Sequence, residues 1–337
     1  MAIRGGNLPA SSYELIVVDD ASGDGSVSIA ARYADTVVKL TGQQAGPAYS
    51  RNRGVELARG EILAFVDGDV VVEADTLGRM LGVLGDRPDI DGVSASQDVT
   101  AGASNFTSQY WNLLVRFGEQ RHHGPSAQFA QSCGAVRRQA FLDAGMYDEW
   151  RFATPSLEGV ELGARLLATG GGALLSPQLK VRHLKAHDLS SVCREVWRRG
   201  KMLARSLGYS RMNDVAPGEV VFTLSRTLTP AIALVGTLML AGAFVSPPHS
   251  AADVGMALVV LLVANLPVHR FYAQSRGLGF AIASAPLHLV VQMVAAAALC
   301  KGWIARYLVG DVSRDATTQA YSEVGLEIWP PVPRRRR

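Results

Sequence analysis

The segment Gly60-Glu-Ile-Leu-Ala-Phe-Val-Asp-Gly-Asp69 joins an apolar, strand-like run to a pair of carboxylates. Residues 61–66 form a short apolar stretch, which is typical of a strand buried on both faces of a sheet. Asp67 and Asp69 follow at once, and Gly68 between them leaves room for a ligand. Two carboxylates at positions i and i+2 can approach one hard cation, which can bridge to phosphates. The segment therefore predicts a metal–diphosphate site, although an isolated Asp-x-Asp is more often a plain turn.

A second apolar run upstream ends in the same way. Residues 13–18 are rich in strand-forming side chains and are followed by Asp19, Asp20 and Ser22. A carboxylate there can accept hydrogen bonds from a nucleoside, or it can cap a turn or a helix. Because such runs alternate with helical segments over residues 13–180, we expect an α/β fold with a doubly wound, mostly parallel sheet. Ligands bind at the carboxyl ends of strands in such sheets, where both acidic clusters fall.

The composition changes near residue 220. The whole chain is 48 % hydrophobic and only 19 % charged, and this low share of charge predicts that part of it lies in lipid. Residues 227–245 carry no charge and are long enough to span a bilayer. Residues 254–268 form a shorter second run, and residues 278–300 form a third that contains polar side chains. The alternative for all three segments is a buried helical subdomain.

These features predict three domains. We expect a catalytic domain over residues 1–210, a membrane region with two or three hydrophobic transmembrane helices over residues 211–310, and a polar tail over residues 311–337 that ends in four arginines. Basic residues precede the first hydrophobic segment and recur between the second and third, whereas residues 246–253 contain none. The rule that basic loops stay inside therefore predicts a multi-pass protein of a bacterial inner membrane, with its catalytic domain in the cytoplasm.

The third hydrophobic segment leaves two topologies open. If all three segments cross the bilayer, the arginine tail lies outside the cell, against the positive-inside rule. If the third segment is re-entrant or interfacial, the tail stays in the cytoplasm. The polar His288 and Gln292 within this segment favour the second topology.

Five sequence blocks resemble the family-2 glycosyltransferases, in their order and at similar spacing. The blocks are residues 15–22, 46–54, 60–69, 131–145 and 158–166. The resemblance covers roughly residues 13 to 200. It implies a GT-A fold, a nucleotide-diphosphate sugar donor and a single displacement that inverts the anomeric carbon. It also implies Mg²⁺ or Mn²⁺ as cofactor.

The same resemblance assigns roles to individual residues. It implies that Asp19 and Asp20 contact the nucleoside, and that Asp67 and Asp69 hold the metal and the sugar diphosphate. The implied donor-binding residues are Asp19, Asp20, Ser22, Arg51, Asp67 and Asp69. Arg51 would lie near the phosphates or stabilise the donor loop, the alternative being an arginine on a helix surface. His183 is a weaker candidate metal ligand, and its alternative is a loop histidine.

The sequence departs from the family pattern at the position of the general base. The family has Asp after the Glu of its helix, and here that residue is Gly159. A hydroxyl acceptor must lose a proton as it attacks, which glycine cannot accept. We expect either that the neighbouring Glu158 is the catalytic base, or that the acceptor is an anionic lipid phosphate that needs none. Glu161 is expected to pair with Arg165 at i+4.

The sequence also departs from the family at its start. The family begins with a strand that lies centrally in the sheet, whereas only residues 1–12 precede the first visible strand here. We therefore expect a sheet that lacks its first strand, through a start codon assigned too late or through truncation to an inactive protein.

The expected function is transfer of one sugar from a nucleotide-diphosphate sugar to a lipid-linked or membrane-proximal glycan acceptor in cell-envelope synthesis. A non-catalytic or truncated sugar-nucleotide-binding scaffold is one alternative, and a processive polysaccharide synthase is another. The expected partners are the donor, the acceptor and the membrane. Nucleic acid is not expected, because the chain has no basic patch with interleaved aromatics.

Overall fold

The computed structural model describes residues 2–120, 124–126, 129, 132–152, 154–155, 157–206, 251–309 and 324–329. The chain divides into two compact units, and each is discontinuous in sequence. The first unit comprises residues 1–96, 122–183 and 311–337, and the second comprises residues 97–121 and 184–310. The hydrophobic segment 227–245 lies outside the described residues, and the division into three domains stays a prediction.

Strands and helices alternate through the first unit, as expected for an α/β fold. The strands are β1 (Ile16–Asp20), β2 (Thr36–Thr41), β3 (Ile62–Val66), β4 (Val70–Val72), β5 (Gly92–Gln97), β6 (Pro125–Ser126), β7 (Cys133–Arg137), β8 (Ala173–His183) and β9 (Gly325–Trp329). The helices within the described residues of both units are α1 (Ser26–Ala30), α2 (Pro47–Leu57), α3 (Thr76–Asp86), α4 (Phe106–Glu119), α5 (Arg138–Asp143), α6 (Glu158–Ala168), α7 (Leu189–Ser206), α8 (Ala251–Arg276) and α9 (Leu278–Val309).

The strands form two mixed sheets instead of one mostly parallel sheet. The first sheet has the order β1-β2-β9, and the second has the order β3-β7-β5-β8-β4 with β6 beside β8. β1 and β2 pair in parallel, whereas β9 on β2, β7 on β3 and β5, and β4 and β6 on β8 pair antiparallel. The expected direction was wrong because β7 enters the sheet where β3 ends, with Cys133 opposite Val66. Apolar runs predict which residues are strands, but they do not predict strand direction.

β1 and β3 each lie at the edge of a sheet among the described strands. Among the described strands β1 pairs only with β2, and β3 pairs only with β7, so each has one neighbour. The apolar strand β3 is correspondingly half-buried, and its central Ala64 is exposed. A strand in the middle of a complete sheet with helices on both faces would be buried throughout.

Helix α2 connects the two sheets. Pro47 occupies its first turn after Gly46, whose φ of 89° places it in the left-handed region that glycine tolerates. A Cβ at Gly54 would lie 3.3 Å from the Val18 side chain of β1, so this face packs closely on the first sheet. One turn earlier, Arg51 reaches Asp67 at the end of β3. The helix therefore fixes the end of β3 relative to β1.

The second unit is helical. Its core contains Tyr110 from α4, Val192 from α7, Tyr272 from α8 and Val291 from α9. One helix in the described part of the chain is long and apolar enough to cross a membrane, and this span is Leu278–Ala305. It coincides with the third predicted segment. The second predicted segment lies within α8, which does not meet that criterion.

Glycines allow α7 and α9 to pack closely within the second unit. A Cβ at Gly200 of α7 would lie 2.8 Å from the Ala298 Cβ of α9. A Cβ at Gly302 of α9 would lie 2.6 Å from the Lys201 carbonyl oxygen and 2.7 Å from the Ala204 Cβ of α7. All three distances are shorter than nonbonded contacts allow. Helices α7 and α9 can therefore approach this closely because these two positions are glycines.

We expect Gly302→Ala to destabilise the second unit, because the added methyl group must displace the backbone of α7. Overpacking of this kind costs about 1–3 kcal/mol, and thermal unfolding of the purified full chain measures it as a lower melting temperature. Gly279→Ala is the matched control on the same helix, since a Cβ there meets nothing within 4 Å. Equal melting temperatures for the two variants would contradict the close packing.

Candidate active site

The carboxylates that follow β3 lie beside a histidine from β8. The Nε2 atom of His183 is 3.4 Å from Oδ1 of Asp69. One ligand atom from each of Asp67, Asp69 and His183 lies within 4.8 Å of the others. β4 brings them together, because Val70 directly follows Asp69 and pairs with His183. Two carboxylates and one imidazole are a donor set that fits a divalent cation.

Arg51 lies between the metal-ligand candidates and the candidate base. Its Nη2 donates to Oδ1 of Asp67 at 2.7 Å, and its Nη1 donates to Oε1 of Glu158 at 3.2 Å. Its guanidinium carbon lies 5.4 Å from the centre of the Tyr147 ring. The Arg51 side chain is only 14 % exposed, so these contacts are shielded from solvent. The Arg51 side chain therefore lies largely buried between Asp67 and Glu158 and not on a helix surface.

The surroundings of Asp67 oppose a full negative charge. Burial raises the pKa of this carboxyl above its ordinary value, and the Asp69 charge adds to the rise. The Arg51 guanidinium and His183 work against it. The Arg51 guanidinium offsets the charge of Asp67, and a bound cation would offset the repulsion between Asp67 and Asp69.

Glu158 begins α6 and is nearly buried at 8 % exposure. Gly159 follows it in the helix, so the glycine at the family's base position contributes no side chain to the site. Glu161, one turn further on, is fully buried and pairs with Arg165 at 2.8 and 2.6 Å. Arg165 also donates to the Ala144 carbonyl oxygen. The predicted pair of Glu161 and Arg165 is confirmed, and it attaches α6 to the turn after α5.

Asn52 and Tyr147 support the site, and the sequence interpretation missed both. The Asn52 amide donates to the Tyr147 carbonyl oxygen at 2.9 Å and accepts from the Tyr147 N–H at 3.1 Å. Two left-handed residues, Gly145 and Met146, precede Tyr147 and turn its backbone toward α2. Burial raises the pKa of Tyr147, and its hydroxyl has no hydrogen-bond partner among the described atoms. The adjacent residues Arg51 and Asn52 were the available signal in the sequence. Neighbouring helix residues can contact two groups of the same turn, here the ring and the backbone of Tyr147.

The carboxylates at the end of β1 accept hydrogen bonds from backbone N–H groups. Oδ1 of Asp19 accepts from the Ser22 N–H at 3.0 Å, which forms a turn. The two carboxylate oxygens of Asp20 accept from the N–H groups of Ala45 and Gly46, at 2.8 and 2.9 Å. Asp20 therefore anchors the loop before α2, and the turn at Asp19 passes through Ala21 at a φ of 56°. The described contacts link Arg51, Asp67, Asp69, Glu158 and His183. For Asp19, Asp20 and Ser22, they show hydrogen bonds that involve backbone N–H groups of nearby turns.

We expect Asn52→Ala to destabilise the first unit, because it removes the side-chain partner of two backbone groups of Tyr147. An unpaired buried polar group costs about 1–3 kcal/mol, so the free energy of unfolding should fall by about 2 kcal/mol or more in a denaturant titration. Gln139→Ala is the control, since it removes an exposed hydrogen bond to Asp143 and should change stability by less than about 0.5 kcal/mol. Similar losses in both variants would show that Asn52 does not hold this turn.

Comparison with known proteins supports the family resemblance. Residues 6–145 are similar to the family model of glycosyl transferase family 2. EpsH of Bacillus subtilis (strain 168) is 40 % identical over 87 residues, which are 25 % of this chain and 25 % of that protein. Glycosyltransferase AglE of Haloferax volcanii is 39 % identical over 72 residues, 20 % of this chain and 24 % of that protein. The chain thus aligns with about a quarter of the length of these relatives.

A solved structure shares the fold. It is the mannosyltransferase PcManGT from Pyrobaculum calidifontis in complex with GDP-Man and Mn²⁺, with a TM-score of 0.59 at 19 % identity. The likeness covers 85 % of this chain and 81 % of that chain. It confirms the predicted GT-A-type α/β fold. The α6 helix that carries Glu158 lies beyond the family match at residues 6–145.

Proposed function

From the family-2 glycosyl transferase region at residues 6–145, we propose that this chain is a glycosyltransferase that uses a nucleotide-diphosphate sugar. The observation that carries the proposal is the cluster of Asp67, Asp69 and His183 beside the Arg51–Glu158 pair. Such a cluster provides metal ligands, a cation and a carboxylate within one site at the end of a strand. Sugar transfer to an acceptor oxygen uses all three.

Each residue of the cluster would have its own role in the proposed reaction. A bound divalent cation would stabilise the negative charge on the departing diphosphate. That cation would be held by Asp67, Asp69 and His183. Through its hydrogen bond to Asp67, Arg51 would orient the loop that carries the two aspartates. In a single displacement the acceptor oxygen bonds to the anomeric carbon as the bond to the diphosphate breaks, which inverts that carbon. Glu158 would take the proton of a hydroxyl acceptor.

The role of Glu158 can be tested by Glu158→Gln, which keeps the size of the side chain and removes its ability to take a proton. We expect turnover to fall about 10²–10⁴-fold, with donor binding by calorimetry largely retained. Glu56→Gln is the control, because Glu56 pairs with Arg53 on the exposed side of α2 and should leave turnover unchanged. Near-normal turnover by Glu158→Gln would rule out Glu158 as the general base and would favour an anionic lipid phosphate as the acceptor.

The metal can be tested by removing divalent cations with a chelator and restoring each alone. We expect donor binding and turnover to return more fully with Mn²⁺ than with Mg²⁺, because imidazole suits Mn²⁺ better than the harder Mg²⁺. His183→Ala should reduce the difference between the two metals. Full activity in chelator would contradict the proposed site.

The acceptor is proposed to be lipid-linked or close to the membrane, with the protein at the cytoplasmic face of a bacterial inner membrane. The apolar span Leu278–Ala305 and the arginines of α7 support this placement. Gly159 at the family's base position favours one other function, a non-catalytic protein that binds sugar nucleotides. Metal-dependent donor binding without transfer to any extracted membrane lipid or glycan would support that alternative.

A further inference from the structure

Strand β9 pairs with the sheet that carries Asp19 and Asp20. β9 runs antiparallel to β2, with Glu327 opposite Lys39 and Gly325 opposite Thr41. Both strands belong to the first unit. A hydrogen-bonded sheet cannot be divided by a bilayer, so β9 lies on the same side of any membrane as β2. The number of membrane crossings between β2 and β9 must therefore be even or zero.

Helix α9 contacts helices of the second unit near both of its ends. Near its start, the rings of Phe280 and Phe106 of α4 lie 5.1 Å apart. Further along, Nδ1 of His288 is 2.9 Å from the Tyr110 hydroxyl of α4. Gly302, towards its other end, packs on α7. From Phe280 to Gly302 a helix rises about 33 Å, roughly the thickness of a bilayer's hydrocarbon core.

Helix α7 cannot lie in hydrocarbon along this length. It carries five charged side chains in its middle, namely Arg194, Glu195, Arg198, Arg199 and Lys201. Charged side chains in the middle of a bilayer are costly, yet α7 packs against α9 from Val192 in the shared core to the contacts around Gly302. If α9 stood perpendicular to the membrane plane, α7, which packs along it, would also lie within the membrane. An α9 parallel to the membrane surface leaves α7 on the polar side.

The other side of α9 is suited to lipid. Large apolar side chains are exposed on α8 and α9, including Leu262, Val263, Leu266, Ile282, Val290 and Met293. Towards the end of α9 the exposed Trp303 and Tyr307 rings lie 5.6 Å apart, tilted by 45°, and Lys301 nearby is also exposed. Aromatic rings next to basic residues are typical of the boundary between headgroups and acyl chains.

We propose that α9 does not cross the membrane but lies in the headgroup–acyl boundary of the leaflet that faces the catalytic unit. The partner of its exposed apolar side is the phospholipid of that leaflet, and its buried side is covered by α4 and α7. The inference rests on the membrane association in the proposed function, but not on sugar transfer. It selects the second of the two topologies that the sequence left open.

Labelling of single cysteines in sealed membranes tests this topology. Gln274→Cys lies just before the turn into α9 and Glu327→Cys lies in β9, and both native side chains are exposed. Each is made in the full chain with Cys193→Ser and Cys300→Ser, which leaves the buried Cys133. Residues 310–323, between α9 and β9, are too polar to cross. A membrane-impermeant maleimide should therefore label both positions from the same face, in inverted vesicles and not in right-side-out vesicles.

Labelling of the two positions from opposite faces would show that α9 crosses and would overturn the proposal. Recovery of the protein in the soluble fraction would also overturn it, while leaving the glycosyltransferase activity open to its own assay. Loss of turnover with both positions labelled from one face would instead count against the proposed function alone. The two failures are therefore distinguishable.

A disulfide tests the pairing of β9 with β2 in the same membranes. Lys39→Cys with Glu327→Cys places two cysteines directly opposite each other, within the reach of a disulfide. We expect mild oxidation to change the mobility of the unreduced protein on a gel. Thr36→Cys with Glu327→Cys is the control, since Thr36 lies about 10 Å further along β2 and should not cross-link. Equal behaviour of the two pairs would contradict the return of the chain to β2.

Discussion

The candidate site depends on the contact between one buried guanidinium and two carboxylates. Arg51 on α2 binds Asp67 after β3 and Glu158 at the start of α6, at 2.7 and 3.2 Å. Removal of one partner from a buried ion pair typically costs about 3–5 kcal/mol, because a charge is left without compensation. The same contact fixes the end of one sheet, the first turn of a helix and the helix that spans both sheets. Any movement of Asp67, a candidate metal ligand, therefore also affects Glu158, the candidate base.

The local chemistry could be predicted from the sequence, whereas contacts between distant segments could not. Asp67 and Asp69 lie two residues apart after an apolar strand, so their proximity follows from strand geometry alone. Glu161 and Arg165 were predictable from helical spacing. Arg51 and Glu158 are 107 residues apart, and no periodic pattern connects them. The contact of Asp20 with a nucleoside, which the resemblance implies, stays a prediction. The hydrogen bonds that its two oxygens accept from the backbone N–H groups of Ala45 and Gly46 could not be predicted from the sequence.

For the apolar helix α9, too, the sequence predicted the segment but not its contacts with distant segments. Composition identified the apolar segment that became α9, because twenty or more uncharged residues are recognisable without a structure. Composition could not show whether α9 crosses the membrane, because that depends on which helices cover each side of α9. The covering residues come from α4 and α7, which occur much earlier in the sequence. The strand β9 was not predicted either, because an exposed five-residue segment at the edge of a sheet carries little periodic signal.

The pairing of β9 with β2 has a consequence for the order of events during synthesis. About 280 residues separate Thr41 from its partner Gly325. A ribosome that adds about 5–20 residues per second needs roughly 15 to 60 s to produce that length of chain. During this interval the outer edge of β2 has no partner from β9 and offers free N–H and C=O groups to other chains. The nascent protein thus passes through a period in which an unpaired edge must be shielded by chaperones or by rapid membrane targeting.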